Sequence, residues 1–136
     1  MKKKLLPFTG IVLLCCIGFG LYLFNEPHSG IQHIKPAVTI AATELYEEYN
    51  SNEKNADSKY IDKVIEVSGI VSDDQKTDST INISLKGGTM GGINCSLSLS
   101  DNKNISMPAV GTNLTLKGKC TGFLMDVELV DCVIIK

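Results

Sequence analysis

Cysteine and histidine are the residues of this chain best suited to nucleophilic or metal chemistry, and their placement argues against both. The chain has five cysteines and two histidines. A cysteine nucleophile needs a base or cation beside it to hold the thiolate. Both histidines, His28 and His33, fall in a stretch punctuated by Pro27, Gly30 and Pro36, well before Cys95, Cys120 and Cys132. Their i, i+5 spacing matches neither a helix face nor a strand face. No cysteine or carboxylate pair stands close enough to complete a metal shell. Cys95 and Cys120 fall on apolar positions of alternating segments, which predicts buried thiols. A bridge from Cys120 to Cys132 is the alternative. A hairpin turn near residues 122–125 would place the two about five residues out of register, so free thiols are expected. No Gly-x-Ser-x-Gly elbow occurs, and no carboxylate pair stands out for acid–base work. The expectation is a protein that is not an enzyme, with no cofactor and no metal.

Three further patterns invite chemistry and have simpler explanations. Asp73, Asp74 and Asp78 crowd one polar stretch, but they lack the central glycine and closing glutamate of a calcium loop. Turn formation accounts for them. Gly87-Gly88-Thr89-Met90-Gly91-Gly92 has the glycines of a phosphate loop, but Ile93-Asn94 follows where Lys and Ser/Thr would be required. A flexible hairpin connection is expected there. Asn-x-Ser/Thr triplets at Asn82, Asn94 and Asn113 arise from polar–apolar alternation within strands. That alternation does leave one polar set, Asn82, Ser84, Asn94, Ser96 and Ser98, which forms the candidate ligand-contact surface beside the Gly87–Gly92 loop.

The elements that must position these residues follow from charge and hydropathy. The 136 residues carry 13 lysines, no arginine and 15 acids, for a net charge of −2. Lys2, Lys3 and Lys4 open the chain, and Leu5 to Phe24 is a 20-residue run without charge. At about 1.5 Å per residue such a helix spans roughly 30 Å, the thickness of a bilayer core. With the lysines held inside, the remainder should lie outside the cytoplasm. The expectation is an uncleaved single-pass anchor in the cell membrane. A cleaved signal peptide or a lipidated cysteine is the alternative. Gly18-Phe19-Gly20 is the best cleavage candidate, but Leu21 to Phe24 continue the apolar run. Cys15 follows Leu14, a poor lipidation context. Residues 1–24 therefore read as anchor, 25–38 as linker and 39–136 as one folded domain.

Within that domain, Thr39 is placed to cap a helix beginning at Ile40. Ala42, Leu45, Tyr46 and Tyr49 follow helical spacing, with Glu44, Glu47 and Glu48 on the other side. Asn50-Ser51-Asn52 breaks the helix, and a second turn over 53–59 packs through Ala56 and Tyr60. From Val64 the period changes to that of strands. Val64 to Val71 forms one run, with Gly69 marking a bulge, and a polar turn is expected over 72–79. Ile81, Ile83 and Leu85 form a second run, and Ile93, Cys95, Leu97 and Leu99 a third. Leu114 and Leu116 form a fourth, and Val127 to Ile135 a fifth. Five short strands with no crossover helix are best closed into a small barrel.

The stretch Leu45-Tyr46-Glu47-Glu48-Tyr49-Asn50 leads through Asn52-Glu53, Ala56-Asp57 and Lys59-Tyr60 to Val64-Ile65-Glu66-Val67-Ser68-Gly69. The chain closes with Val110-Gly111, Leu114-Thr115-Leu116-Lys117-Gly118-Lys119-Cys120-Thr121-Gly122 and a final strand. From about residue 41 to 135 this resembles the tRNA-anti-like family of bacterial OB-fold lipoproteins and membrane proteins. The resemblance implies a mainly β fold, a five-stranded OB barrel preceded by an α-helix, and carries no defined activity. An OB barrel raises nucleic acid as a ligand, which calls for basic residues and exposed aromatics. Beyond residue 24, ten lysines stand against fifteen acids, a net of −5. The second and third strands carry no aromatic residue. Nucleic acid is accordingly expected to be a poor partner. An envelope protein or a small neutral ligand is expected on a binding or scaffolding module, with a nucleic-acid-binding module as the alternative.

Overall fold

One long strand organises the domain. The computed structural model describes residues 6–24 and 30–135. Strand β2, Val64–Lys76, is long enough to serve two sets of neighbours. Its first half pairs antiparallel with β5, Asn113–Phe123, and parallel with β1, Val38–Ala41. From Val71 onward it pairs antiparallel with β3, Thr80–Lys86. β3 pairs antiparallel with β4, Gly92–Ser98. β4 runs parallel to β6, Val127–Ile134, and β6 returns antiparallel to β5. The circuit β2-β3-β4-β6-β5-β2 is a closed five-stranded barrel, with β1 as a sixth strand outside it.

Alternation fills the barrel. Ile65, Val67, Ile81, Ile83, Leu85, Ile93, Leu97, Leu116 and Leu129 are all fully buried. Each such side chain contributes roughly 1.5–3 kcal/mol on leaving water. Cys95, Cys120 and Cys132 are buried free thiols among them. β2 does not end where a turn was expected: it runs on to Lys76, with its register shift at Val71/Asp73 rather than at Gly69. Gly69 has a different purpose. A Cβ there would lie 2.7 Å from the Cβ of Ala42, so the glycine lets the start of a helix touch the strand.

Helices α2, Ala42–Ser51, and α3, Glu53–Tyr60, cover the barrel. The expected stripe of Ala42, Leu45, Tyr46 and Tyr49 is buried, as are Ala56 and Tyr60. The ring of Tyr49 stacks on Phe123 at 5.5 Å, and Tyr46 meets Phe123 edge-on at 6.0 Å. Asn52 separates the helices. Its backbone is extended, and its side chain accepts a hydrogen bond from the Asn55 N–H at 3.1 Å, capping α3. The cap expected at Thr39 is absent. Val38–Ala41 is strand, and α2 starts at Ala42 without a side-chain cap. Three successive β-branched residues, Val38, Thr39 and Ile40, suit a strand once β2 offers a partner.

The second half of the segment expected to be linker is also built into the domain. Ile31–His33 forms a single 3₁₀ turn, and Ile31 is buried. The ammonium of Lys117, itself only 6% exposed, donates to the carbonyls of Gln32 and Ile34, each at 3.0 Å. His33 is exposed, and His28 lies outside the described residues. Ahead of this, α1 covers Leu6–Phe24. Its side chains are described over residues 10–22, where Ile11, Leu14, Phe19 and Tyr22 are exposed. Among the described residues no helix is long and apolar enough to cross a membrane.

Candidate functional site

Strands β3 and β4 carry the candidate surface. Their inward side chains are aliphatic, so the alternate residues must face outward. The register sets them opposite one another as rungs: Thr80 with Ser98, Asn82 with Ser96, and Ser84 with Asn94. All five sequence-predicted residues, Asn82, Ser84, Asn94, Ser96 and Ser98, therefore share one face, and each is half-buried. They bond mainly to neighbours on that face. Ser96 Oγ donates to Asn82 Oδ1 at 2.8 Å, and Ser98 Oγ lies 2.7 Å from Ser100 Oγ. Asn94 Nδ2 donates to both carboxylate oxygens of Glu128, at 3.1 and 3.3 Å. Glu128 was not anticipated. It reaches Asn94 because β6 lies parallel to β4 in the register Asn94↔Glu128. A cleft of about 340 Å³ opens at one end of the face, between Thr80, Ser96, Ser98 and Asp131.

The other end is bounded by two loops that touch. The Gly87–Gly91 turn is held by the Gly88 N–H donating to the Gly91 carbonyl at 2.7 Å. It is the expected hairpin connection between β3 and β4. The ring of Tyr46 lies flat against it: a Cβ on Gly88 would come within 2.7 Å of that ring, and one on Gly91 within 3.0 Å. The carboxylate of Asp126 accepts from the Gly92 N–H at 2.6 Å, tying this turn to the one between β5 and β6. At this junction Met90, Leu124 and Met125 are 85%, 86% and 73% exposed. The sequence signal for them was weak, an apolar residue inside each predicted turn.

The remaining chemistry-bearing residues do not assemble into a site. Burial pushes the thiols of Cys120 and Cys132 up, the wrong direction for a nucleophile. The hydroxyl of Tyr49 lies 3.4 Å from Cys120 Sγ and is also raised, first by burial. Asp73 and Asp74 pair with Ser84 and Ile83 as consecutive strand residues, so they point to opposite sides. Among the described residues no group of three or more His, Cys, Asp or Glu is placed to hold a metal. A larger hollow, about 560 Å³, lies elsewhere, between Gln32, the loop around Asn102 and Lys103, and Ile135.

Barrel closure, strand order and a polar face on the second and third barrel strands define an OB-fold domain. The family profile described as tRNA_anti-like matches residues 1–134, and the chain belongs to that family. The match also takes in the N-terminal apolar segment, which lay outside the resemblance read from residues 41 to 135. Among solved structures, a Klebsiella pneumoniae protein described as a "putative nucleic acid-binding lipoprotein" is similar to this chain. It is 14% identical, with a TM-score of 0.59, over 71% of this chain and 91% of that one. The S. pombe Stn1-Ten1 complex matches at 16% identity and a TM-score of 0.42, over 54% of this chain and 58% of that one. Yeast Stn1 and Ten1 match at 16% and 0.45, over 74% and 63%. The likeness to the Klebsiella protein shows the fold. No curated protein matches the chain in sequence.

One expectation is corrected by these findings. Nucleic acid was expected to be a poor partner, yet a protein of the same fold is described as nucleic acid-binding. A charge sum over the whole domain does not say where the acids lie. Glu44, Glu47, Glu48 and Glu53 all belong to α2 and α3. On the β3–β4 face the rungs are neutral and Lys86 is exposed, while Asp73 beside Ser84 and Glu128 beside Asn94 border them.

Proposed function

We propose that this chain is a membrane-anchored, non-enzymatic OB module, presented outside the cytoplasm, whose β3–β4 face binds single-stranded nucleic acid. The observation that carries the reading is the in-register polar face. It lies on the two strands by which OB barrels take oligonucleotides, beside the loop between the last two strands. The description of the Klebsiella protein supports the ligand class. Asparagine amides and serine hydroxyls can hydrogen-bond base edges and sugars, which makes few demands on phosphate neutralisation. Anchoring is supported by the uncharged run from Leu5 to Phe24 behind three lysines.

Titration of the full chain in lipid nanodiscs with short fluorescent DNA and RNA single strands tests this. Saturable binding at micromolar concentrations is expected, weakened in the variant Asn82→Ala/Ser96→Ala. With one or two phosphate contacts, log K should fall against log salt with a slope of only about −0.7 to −1.4. Wild-type protein that binds neither strand at low salt overturns the reading and returns an envelope protein or a neutral ligand to first place.

A further inference from the structure

Bases bound by an OB domain need flat or polarisable surfaces to stack on, and the β3–β4 face of this protein offers none. The surface beside it does. We propose that Met90, Leu124 and Met125 form an apolar seat that receives an unstacked nucleobase at the end of the polar face, in place of the aromatic side chains the strands lack. This inference rests on the nucleic-acid reading above and names the group recognised at its edge.

Three observations support it. First, the three side chains are the most exposed apolar residues the described barrel presents, at 85%, 86% and 73%. They belong to two turns brought together by barrel closure, through the hydrogen bond from the Gly92 N–H to Asp126. Single exposed apolar residues are ordinary, whereas a cluster on adjoining turns marks a contact surface. Second, the seat is continuous with the face. Gly92 opens β4 opposite Lys86, and Val127 opens β6 opposite Ile93, one position from the Asn94–Glu128 rung. A strand lying along the rungs therefore runs onto the seat. Lys86 is exposed beside it, makes no ion pair among the described residues, and is available to a phosphate. Third, the seat has a rigid floor. The Tyr46 ring lies under the glycine turn and packs on Phe123, which itself rests on Tyr49. Methionine suits such a seat because its thioether is polarisable and makes favourable contacts with π systems. Unbranched side chains on a fixed floor can close over either face of a base. The acidic neighbours Asp126 and Glu128 accept from the Gly92 N–H and the Asn94 amide and keep their charge, which favours an uncharged base over a phosphate at the seat.

The test uses the full chain in nanodiscs, with two single-stranded probes of equal length. One is oligothymidylate; the other carries abasic sites throughout, so that it keeps the phosphates and lacks the bases. The triple variant Met90→Ser/Leu124→Ser/Met125→Ser should lose about tenfold in affinity for oligothymidylate, the scale of one stacked base. Its unfolding midpoint should not move. The abasic strand should bind wild type and variant equally and weakly. Because the natural chain has no tryptophan, Leu124→Trp gives a single reporter, whose emission should be quenched by oligothymidylate and not by the abasic strand. An unchanged affinity in the triple variant, with Asn82→Ala/Ser96→Ala still weakened, overturns the seat and leaves the nucleic-acid reading standing. A wild type that binds no oligonucleotide overturns both. Quenching of the Leu124→Trp reporter by brominated lipid, unaffected by oligonucleotide, overturns the seat in favour of contact with the bilayer.

Discussion

The helical layer and the β3–β4 face use polar groups in opposite ways. Beneath α2 and α3, the Tyr49 hydroxyl meets Cys120 Sγ inside the core, and at the edge of the layer Glu48 accepts from Tyr60 and Lys59. The rings of Tyr49 and Tyr60 pack together, and Tyr49 stacks on Phe123. On the barrel face, amides and hydroxyls bond mainly to partners on the same surface, half-exposed, where a ligand can compete for them. The first region uses its polar groups to hold the chain together, and the second keeps them exchangeable. Stability and recognition should therefore be separable by mutation.

Tyr49→Ala tests that separation most severely. It removes a fully buried ring from between Tyr60 and Phe123 and should cost about 3–5 kcal/mol. Denaturant unfolding measures it. An equally large loss from any single substitution on the β3–β4 face would erase the contrast. Lys117 comes next. Lys117→Ala should cost about 1–3 kcal/mol and free the backbone of the entering segment. The amides of His33 and Ile34 should then exchange faster with solvent. Lys117→Met keeps the apolar stem and loses the donors, so it separates packing from hydrogen bonding.

A smaller effect is expected with pH in the helical layer. Burial, followed by the hydrogen bond to Glu48, pushes the Tyr60 hydroxyl up to about 12 from its ordinary value of 10.0. The protonated tyrosine thus stabilises the fold below pH 10, and its contribution is lost as pH rises from 10 towards 12. Glu48 is shifted the other way, chiefly by its bond to Lys59, so its contribution is present above the usual glutamate pKa and lost in acid. Unfolding midpoints of Tyr60→Phe should show a flatter alkaline limb than wild type. Least of all should happen on the face. Asn82→Ala/Ser96→Ala should move stability by no more than about 1 kcal/mol, since both side chains can return to water. The same variant should lose ligand, which completes the contrast.

What could be read from the residues divides along the same physical line. Alternation is local, so the inward set from Ile65 to Leu129 and the outward set from Asn82 to Ser98 were both legible. The Tyr46–Tyr49 stripe was legible for the same reason. Contacts made only on closure were not. Val38–Ala41 is a strand because Ile65–Ser68 lies beside it, and nothing near Thr39 announces a partner so far downstream. Lys117 reads as an outward strand residue until the 3₁₀ turn at Ile31 folds over it. Glu128 meets Asn94, and the two turns bearing Met90 and Leu124 meet each other, only because β4 and β6 run parallel. Net charge was legible, but a sum does not report where on the fold the acids lie.

The parallel strand β1 gives the molecule a mechanical grain. Tension arriving from residues ahead of Gly30 passes through a backbone clamped by Lys117 and then along β1. If the load is resisted by something held on β3 and β4, the pull runs lengthwise along the β1–β2 ladder. Its rungs then share the force in shear instead of parting one after another like a zip. A tug arriving at the end of β6 would meet the parallel β4–β6 ladder, with three registered pairs against four for β1–β2, so the same load falls on fewer rungs.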